Sequence, residues 1–524
     1  MRTSAWLALA VLWGCGVAAV AAEAPPEVTV ATGALAGTHE APLGLDEFKG
    51  IPYAAPPVGA LRWKPPQPAA AWHGVREAQR FGARCMQRPL YSDMVFRASG
   101  MSEDCLYLNV WTPAARHTHK LPVLVYFYGG SFLAGDGSEP RYDGASLAQR
   151  GIVTVTVNYR LDVFGFLALP ALVAESPQHA AGNYGLLDQV AALRWVRRNI
   201  AAFGGDPGRV TIGGESAGSM AVSALMASPL SKALMHGAIG ESGAVLGNLK
   251  PPTLALGERQ GEAYLKRLGV NSLAALRKLD AKTLLAAVGA PGEPDFGPVI
   301  DGDFLPRSPE AIYAAGEQAH IPLLVGSNSM EGSDADLLGK ASPTPANYRA
   351  AVEKRFGAHA AEALRLYPGT TDAEAVASGT ALASDQFIAF ATWRWMDQQY
   401  RSGVPVYYYR FDRARPARRD GTAPAQAGAV HSAEIEYALG NLDSNHVYAW
   451  ADADHRVSRI MSGYFAQFIK TGSPNGAGLP HWPAVTAKDG GLTRQWIGVD
   501  THSVVDRNAP RYEFLERVEP DAHL

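Results

Sequence analysis

The chain has 524 residues, with 47 Lys and Arg against 50 Asp and Glu, a net charge of −3, and 47% hydrophobic residues. That length accommodates one large α/β domain with insertions, or several smaller domains, around a sizeable core. So balanced a charge excludes an electrostatic case for nucleic acid or an anionic membrane surface as a partner.

In chain order, Met1-Arg2 precedes an apolar run from Ala5 to Ala22 that ends in small residues. With Ala19-Val20-Ala21 as a cleavage site, residues 1–21 are predicted to be a signal peptide and 22–524 the mature chain. A membrane anchor is the alternative, but Gly14, Gly16 and the alanines make the run weakly hydrophobic, and Glu23-Ala24-Pro25-Pro26 is no positive stop-transfer flank. Leu12-Trp13-Gly14-Cys15 resembles a bacterial lipoprotein box in which Trp13 fits poorly, so lipidation at Cys15 is a second alternative. Export predicts an oxidising compartment, secreted or periplasmic. Loss of the leader leaves Cys85 and Cys105, predicted to form one disulfide, with two buried thiols as the other reading. The absence of any N-x-S/T sequon favours a bacterial origin.

No internal repeat, heptad run or low-complexity block divides the remainder, so residues 22–524 read as one domain. Short β-branched and aromatic runs recur at Val123 to Phe127, Ile152 to Val157, Val210 to Ile212, Ile321 to Val325 and Val404 to Phe411. They predict buried strands of a largely parallel sheet. Between them, Leu186, Val190, Leu193, Val196 and Ile200 recur at three- and four-residue steps and predict a helix over 186–202. Strand alternating with helix is the signature of an α/β fold, a central sheet flanked by helices.

The stretch Gly214-Glu215-Ser216-Ala217-Gly218 follows one of these strands and precedes a small-residue helix predicted over Ala217 to Ala227. This is the setting of a nucleophile elbow, which exposes a serine hydroxyl on a sharp strand-to-helix turn. Such a serine needs a base, itself oriented by an acid, in the chain order serine, acid, histidine. His431 is the candidate base because it follows the Val404 to Phe411 strand and a Gly/Ala-rich loop, with His446 and His455 as rivals. Glu331, Asp334 and Asp336 compete as the acid after the Ile321 to Val325 strand, and spacing does not choose among them. Glycines after a buried strand in "YFYGGSF", residues 126–132, offer backbone N–H groups for an oxyanion, joined by the N–H of Ala217.

Longer stretches carry a resemblance: "FKGIPYAAPPVGALRWKPP" from Phe48, "SEDCLYLNVWTP" from Ser102, "NYRLDVFGFL" from Asn158, "GNYGLLDQVAALRWVRRNIAAFGGDP" from Gly182, "FGPVIDGDFLP" from Phe296 and "KTGSPN" from Lys470. With "VTIGGESAG" from Val210, they resemble the type B carboxylesterase family, the carboxylesterase and cholinesterase branch of the α/β hydrolases, over almost the whole mature chain. The resemblance implies an α/β-hydrolase fold with large insertions over the active site, and a serine esterase acting through an acyl-enzyme. It implies Ser216 as nucleophile, His431 as base and Glu331 as acid, a glutamate just before glycine. It further implies Gly130, Ser131 and Ala217 as oxyanion donors, a Cys85–Cys105 disulfide, and Ser242 in support near the acid. Gly129 and Glu215, neighbours in the two motifs, take supporting places. No metal or organic cofactor is required, and the expected partner is a small-molecule ester, without nucleic acid or stable membrane insertion.

Three positions depart from the family pattern. Tyr128-Gly129-Gly130-Ser131-Phe132 stands where the loop generally reads His-Gly-Gly-Gly or Ala, then Phe; Met330 replaces an acidic residue; Asp162 replaces glycine. A choline ester is disfavoured, because between Cys85 and Cys105 there is no tryptophan for a quaternary ammonium, only Tyr91 and Phe96. Beside a general carboxylesterase, the alternatives are a lipase, a specialised detoxifying esterase, and a non-catalytic binding protein of the same fold. A histidine base of ordinary pKa predicts that activity falls below about pH 6.5.

Overall fold

A computed structural model describes residues 24–114, 120–289 and 295–518. The predicted signal peptide, its cleavage site and Cys15 lie outside the described residues.

One twelve-stranded sheet organises the chain. Its main strands are β1 (Leu45–Pro52), β2 (Tyr107–Pro113), β3 (Leu121–Phe127), β4 (Val153–Val157), β5 (Gly205–Glu215), β6 (Gly237–Glu241), β7 (Leu323–Asn328), β8 (Val406–Phe411) and β9 (Gly491–Ile497). They lie in the order β1-β2-β4-β3-β5-β6-β7-β8-β9. From β4 across to β9 every pairing is parallel, while β1, β2 and the last hairpin partner of β9, His502–Asp506, pair antiparallel at the margins. All five predicted strands are present. β5 is much longer than the predicted Val210 to Ile212: it begins at Gly205 and runs on through Gly213 and Gly214 to Glu215, and neither extension carries a β-branched signal.

Helices cover the sheet. The predicted amphipathic helix is α1 (Tyr184–Asn199), continued by a 3-10 turn to Phe203, and its five periodic residues are all buried. α2 (Ala217–Ala227) has the predicted bounds and buries all eleven residues, which is why it is built mainly from small ones. Cys85 and Cys105 are joined in a disulfide. Closing a loop of that length is worth about 3 kcal/mol against the unfolded chain. No helix among the described residues is long and apolar enough to cross a membrane.

The strand order positions the site. From β3 the chain steps outward to β4, then returns to the other side of β3 for β5, so the direction of winding reverses at the β3–β5 pair. In open parallel sheets, ligands bind beyond the carboxyl ends of the strands at such a switch point. The loop 128–132 leaves the end of β3, and Ser216 follows the end of β5.

Candidate active site

Ser216 is the single residue between β5 and α2, and its φ of 55° and ψ of −123° hold it in a conformation that L residues rarely adopt. Strain of this kind persists only where the surroundings enforce it. The flanking glycines permit the turn: a Cβ on Gly218 would lie 2.0 Å from the Phe127 carbonyl oxygen, and one on Gly214 would lie 2.5 Å from the Gly218 backbone. The Ser216 N–H donates to the Glu241 carbonyl at 2.8 Å, fixing the turn to β6.

From Ser216 a hydrogen-bonded chain runs across the ends of the strands. Its Oγ lies 2.9 Å from His431 Nε2, and His431 Nδ1 lies 2.7 Å from Glu331 Oε2. Glu331 lies just past β7, after Ser329 and Met330, and its other oxygen accepts from the Asn328 N–H at 2.6 Å and from Ser242 Oγ at 2.6 Å. Burial pushes this carboxyl up, but hydrogen bonds from His431, Asn328 and Ser242 outweigh it and hold Glu331 below its ordinary range, so it is ionised. The rival residues sit elsewhere. Asp336 accepts from the Ser333 N–H at 2.7 Å as the capping box of the helix Asp334–Leu338, whose first residue is Asp334. His455 lies within the helix Asp452–Thr471, and His446 lines a separate cavity.

Carboxylates crowd the imidazole. Glu215 Oε1 is 3.3 Å from His431 Nε2 and accepts from Ser432 Oγ at 2.7 Å. Burial opposes the imidazolium, yet Glu215 and then Glu331 outweigh it and push His431 up to about 9. This differs from the ordinary value assumed for a lone histidine. Glu434 and Glu241, which no motif singled out, complete a buried cluster. Burial, reinforced by Glu215 and Glu331, raises Glu434 to about 8, and burial raises Glu241 far above a carboxylate's range. Asn328 links the cluster, donating its side-chain amide to Glu434. One sequence sign of Glu434 exists, its place three residues after the histidine, but spacing alone does not separate it from Glu436.

The glycine loop closes on Ser216 from the β3 side. A Cβ at Gly129 would lie 2.6 Å from the Glu215 carbonyl oxygen and 2.9 Å from Ser216 Cβ, so only glycine allows this approach. Gly130, Ser131 and Phe132 all have positive φ, at 110°, 57° and 61°. Among the described residues none accepts a hydrogen bond from the backbone N–H of Gly130, Ser131 or Ala217, which leaves three donors beside the serine. The Ser131 hydroxyl is engaged from outside by Tyr91, whose OH donates at 2.8 Å. Asp162, the departure from glycine, has φ 49°, which explains the glycine preference; its N–H donates to the Phe132 carbonyl at 2.7 Å and braces the loop.

These groups open into a cavity of about 510 Å³ that Ser216, Gly130, Ser131 and His431 line together. Phe387, 45% exposed, packs edge-on against His431 with ring centroids 5.0 Å apart. Beyond Phe387 lies a larger cavity of about 1020 Å³, reached by Glu331 but not by Ser216. Size does not single out the candidate site; the serine, the imidazole and the free N–H groups together do.

The chain is similar to known proteins over nearly its whole length. The sequence model of the carboxylesterase family matches residues 24–513. Fumonisin B1 esterase of Sphingopyxis macrogoltabida is 40% identical over 464 residues, 84% of this chain and 81% of its own length. Para-nitrobenzyl esterase of Bacillus subtilis (strain 168) is 36% identical over 514 residues, 94% of this chain and 98% of its own. Human cocaine esterase is 33% identical over 534 residues, 93% and 90% of the two chains. A solved structure of PNB esterase superposes with a TM-score of 0.78 at 34% identity, covering 93% of this chain and 99% of that one. With the fold, the matched length and the identities in agreement, the chain belongs to the type B carboxylesterase family of α/β hydrolases and is a carboxylic ester hydrolase.

Proposed function

We propose that the chain hydrolyses small-molecule carboxylic esters through an acyl-enzyme on Ser216. The unbroken Glu331–His431–Ser216 hydrogen-bonded chain, ending on a serine held at φ 55°, is the observation that carries this reading. As Ser216 Oγ bonds to the ester carbonyl carbon, its proton passes to His431 Nε2, and the carbonyl oxygen takes the negative charge. The N–H groups of Gly130, Ser131 and Ala217 meet that charge, each preorganised donor being worth about 10²–10³ in rate. The C–O bond then breaks and the leaving alcohol takes the proton from Nε2. Water next attacks the acyl-enzyme, giving its proton to the same nitrogen, and Ser216 recovers it as the acid departs. Glu331 keeps the Nδ1 proton in place and offsets the imidazolium charge. Gly129, Glu215 and Ser242 support these groups from behind.

The relatives are named for fumonisin, para-nitrobenzyl and cocaine esters, so they support the reaction class rather than one ester. The continuous sheet and the family match over 24–513 support one domain over 22–524. The disulfide supports export into an oxidising compartment.

An organophosphonate ester probe followed by intact mass and peptide mapping tests the assignment. One adduct on Ser216 is expected, and Ser216→Ala abolishes it while lowering kcat by about 10⁶-fold. An adduct elsewhere, or a folded Ser216→Ala protein of undiminished activity, overturns it.

A further inference from the structure

Three arginines line the cavity in front of Ser216, beside the carboxylates of Asp93 and Glu215. Arg141, Arg415 and Arg418 supply one wall of it, and Met94, Phe387, Val430 and Tyr448 are among its apolar lining. Burying a guanidinium against an alkyl chain costs its hydration without replacing a hydrogen bond. A fatty acyl or alkyl group is therefore a poor occupant of that wall.

The three arginines are not equivalent. Arg141 is committed to Glu139 at 2.9 Å and to Asp93 at 3.0 Å. Arg415 is committed to Glu436 at 3.2 Å, to Tyr448 Oη at 3.2 Å and to the Ser432 carbonyl. These carboxylates hold both guanidiniums in place, and although burial pushes Asp93 up, Arg141 and then Arg415 hold its carboxyl below the ordinary range. Arg418 is different. Its acidic partner among the described residues is Asp420, two positions along the same turn, at 3.3 Å and half exposed. Exposed pairs of that kind are worth little and are readily exchanged. The backbone beneath Arg418 is nevertheless anchored, since its N–H donates to the Ala423 carbonyl at 3.0 Å and it bridges to Tyr448.

The cavity is also polarised along its length. Phe387 marks the end that adjoins the larger cavity of about 1020 Å³. Asp93, Arg141 and Arg418 mark the end shared with another cavity, of about 410 Å³. A ligand reaching Ser216 therefore meets an aromatic edge on one side and an exchangeable guanidinium on the other.

We propose that this esterase prefers esters carrying a second, free carboxylate, which Arg418 receives as a bidentate partner in place of Asp420, with Arg415 and Arg141 behind it. A planar guanidinium matches a carboxylate in geometry as well as charge. The proposal rests on Ser216 being the nucleophile.

The test compares kcat/KM for para-nitrophenyl hydrogen adipate with that for its uncharged methyl ester, which differ only in the remote carboxylate. Charge-assisted hydrogen bonds of about 1.5–3 kcal/mol correspond to a preference of about 10–150-fold for the anionic ester, and added salt reduces it. Arg418→Ala lowers the anionic-to-neutral ratio at least about tenfold, Arg418→Lys retains part of it, and Arg418→Glu drives it below one. An anionic-to-neutral ratio at or below one in the wild type, or one unaltered by Arg418→Ala, overturns the proposal. If the neutral ester is hydrolysed and Ser216→Ala abolishes this, the nucleophile stands whatever the ratio. Failure to cleave either ester sinks both readings.

Discussion

On the proposed mechanism His431 acts only when neutral, so the carboxylates around it set the acid limb of the pH–rate profile. Glu215 is the strongest of them, at 3.3 Å from Nε2. Coulomb's law at an effective dielectric constant of about 20 gives about 5 kcal/mol for a full charge pair at that distance. The imidazole is 23% exposed and water screens the pair; the expected effect is about 1–2 pH units, or about 1.4–2.7 kcal/mol. The sign follows from the direction of the shift. Glu215 stabilises imidazolium and raises the His431 pKa, so wild-type kcat/KM falls as pH drops through a midpoint above about 7, higher than an ordinary histidine would give. Glu215→Gln keeps an acceptor for the Ser432 hydroxyl but removes the charge, and the acid limb should move down by about 1–2 units. Initial rates on a neutral para-nitrophenyl ester across the pH range measure both midpoints. A midpoint that stays in place, or rises, would refute the reasoning and return the control of His431 to Glu331 alone.

Two further outcomes separate close alternatives. Glu331→Gln removes the charge that holds the imidazolium and should lower kcat by several orders of magnitude, whereas Asp334→Asn, at the start of a capped helix, should leave it within about twofold; a crippling Asp334→Asn would reverse the acid assignment. Gly218→Ala places a Cβ 2.0 Å from the Phe127 carbonyl, backbone that cannot step aside, so urea unfolding should register a loss of about 3 kcal/mol or more; a wild-type midpoint would mean that the elbow tolerates a wider turn.

Much of the fold was legible because its signals are local. Buried parallel strands must be apolar on both faces, so β3, β4 and β8 announce themselves as runs of β-branched and aromatic residues, and α1 as a 3.6-residue period. The elbow was legible too, since a sharp strand-to-helix turn that grazes the neighbouring strand tolerates only glycine at 214 and 218. The true length of β5 was not, because the residues 205–209 before the predicted run and Gly213 and Gly214 after it carry no β-branched signal, and their glycines read as turns.

The amino-acid sequence by itself determined the fold class and singled out the candidate serine and, through family motifs, the candidate histidine and glutamate. What it left open needed distances between residues about a hundred or more positions apart. From residues alone Glu331, Asp334 and Asp336 were equal, and only the sheet brings the first against His431 while a helix cap occupies Asp336. The raised His431, the buried cluster of Glu215, Glu241, Glu331 and Glu434, and the arginine-lined cavity are products of tertiary structure alone. Desolvation and charge proximity depend on what folding places around a group, and no local pattern encodes them.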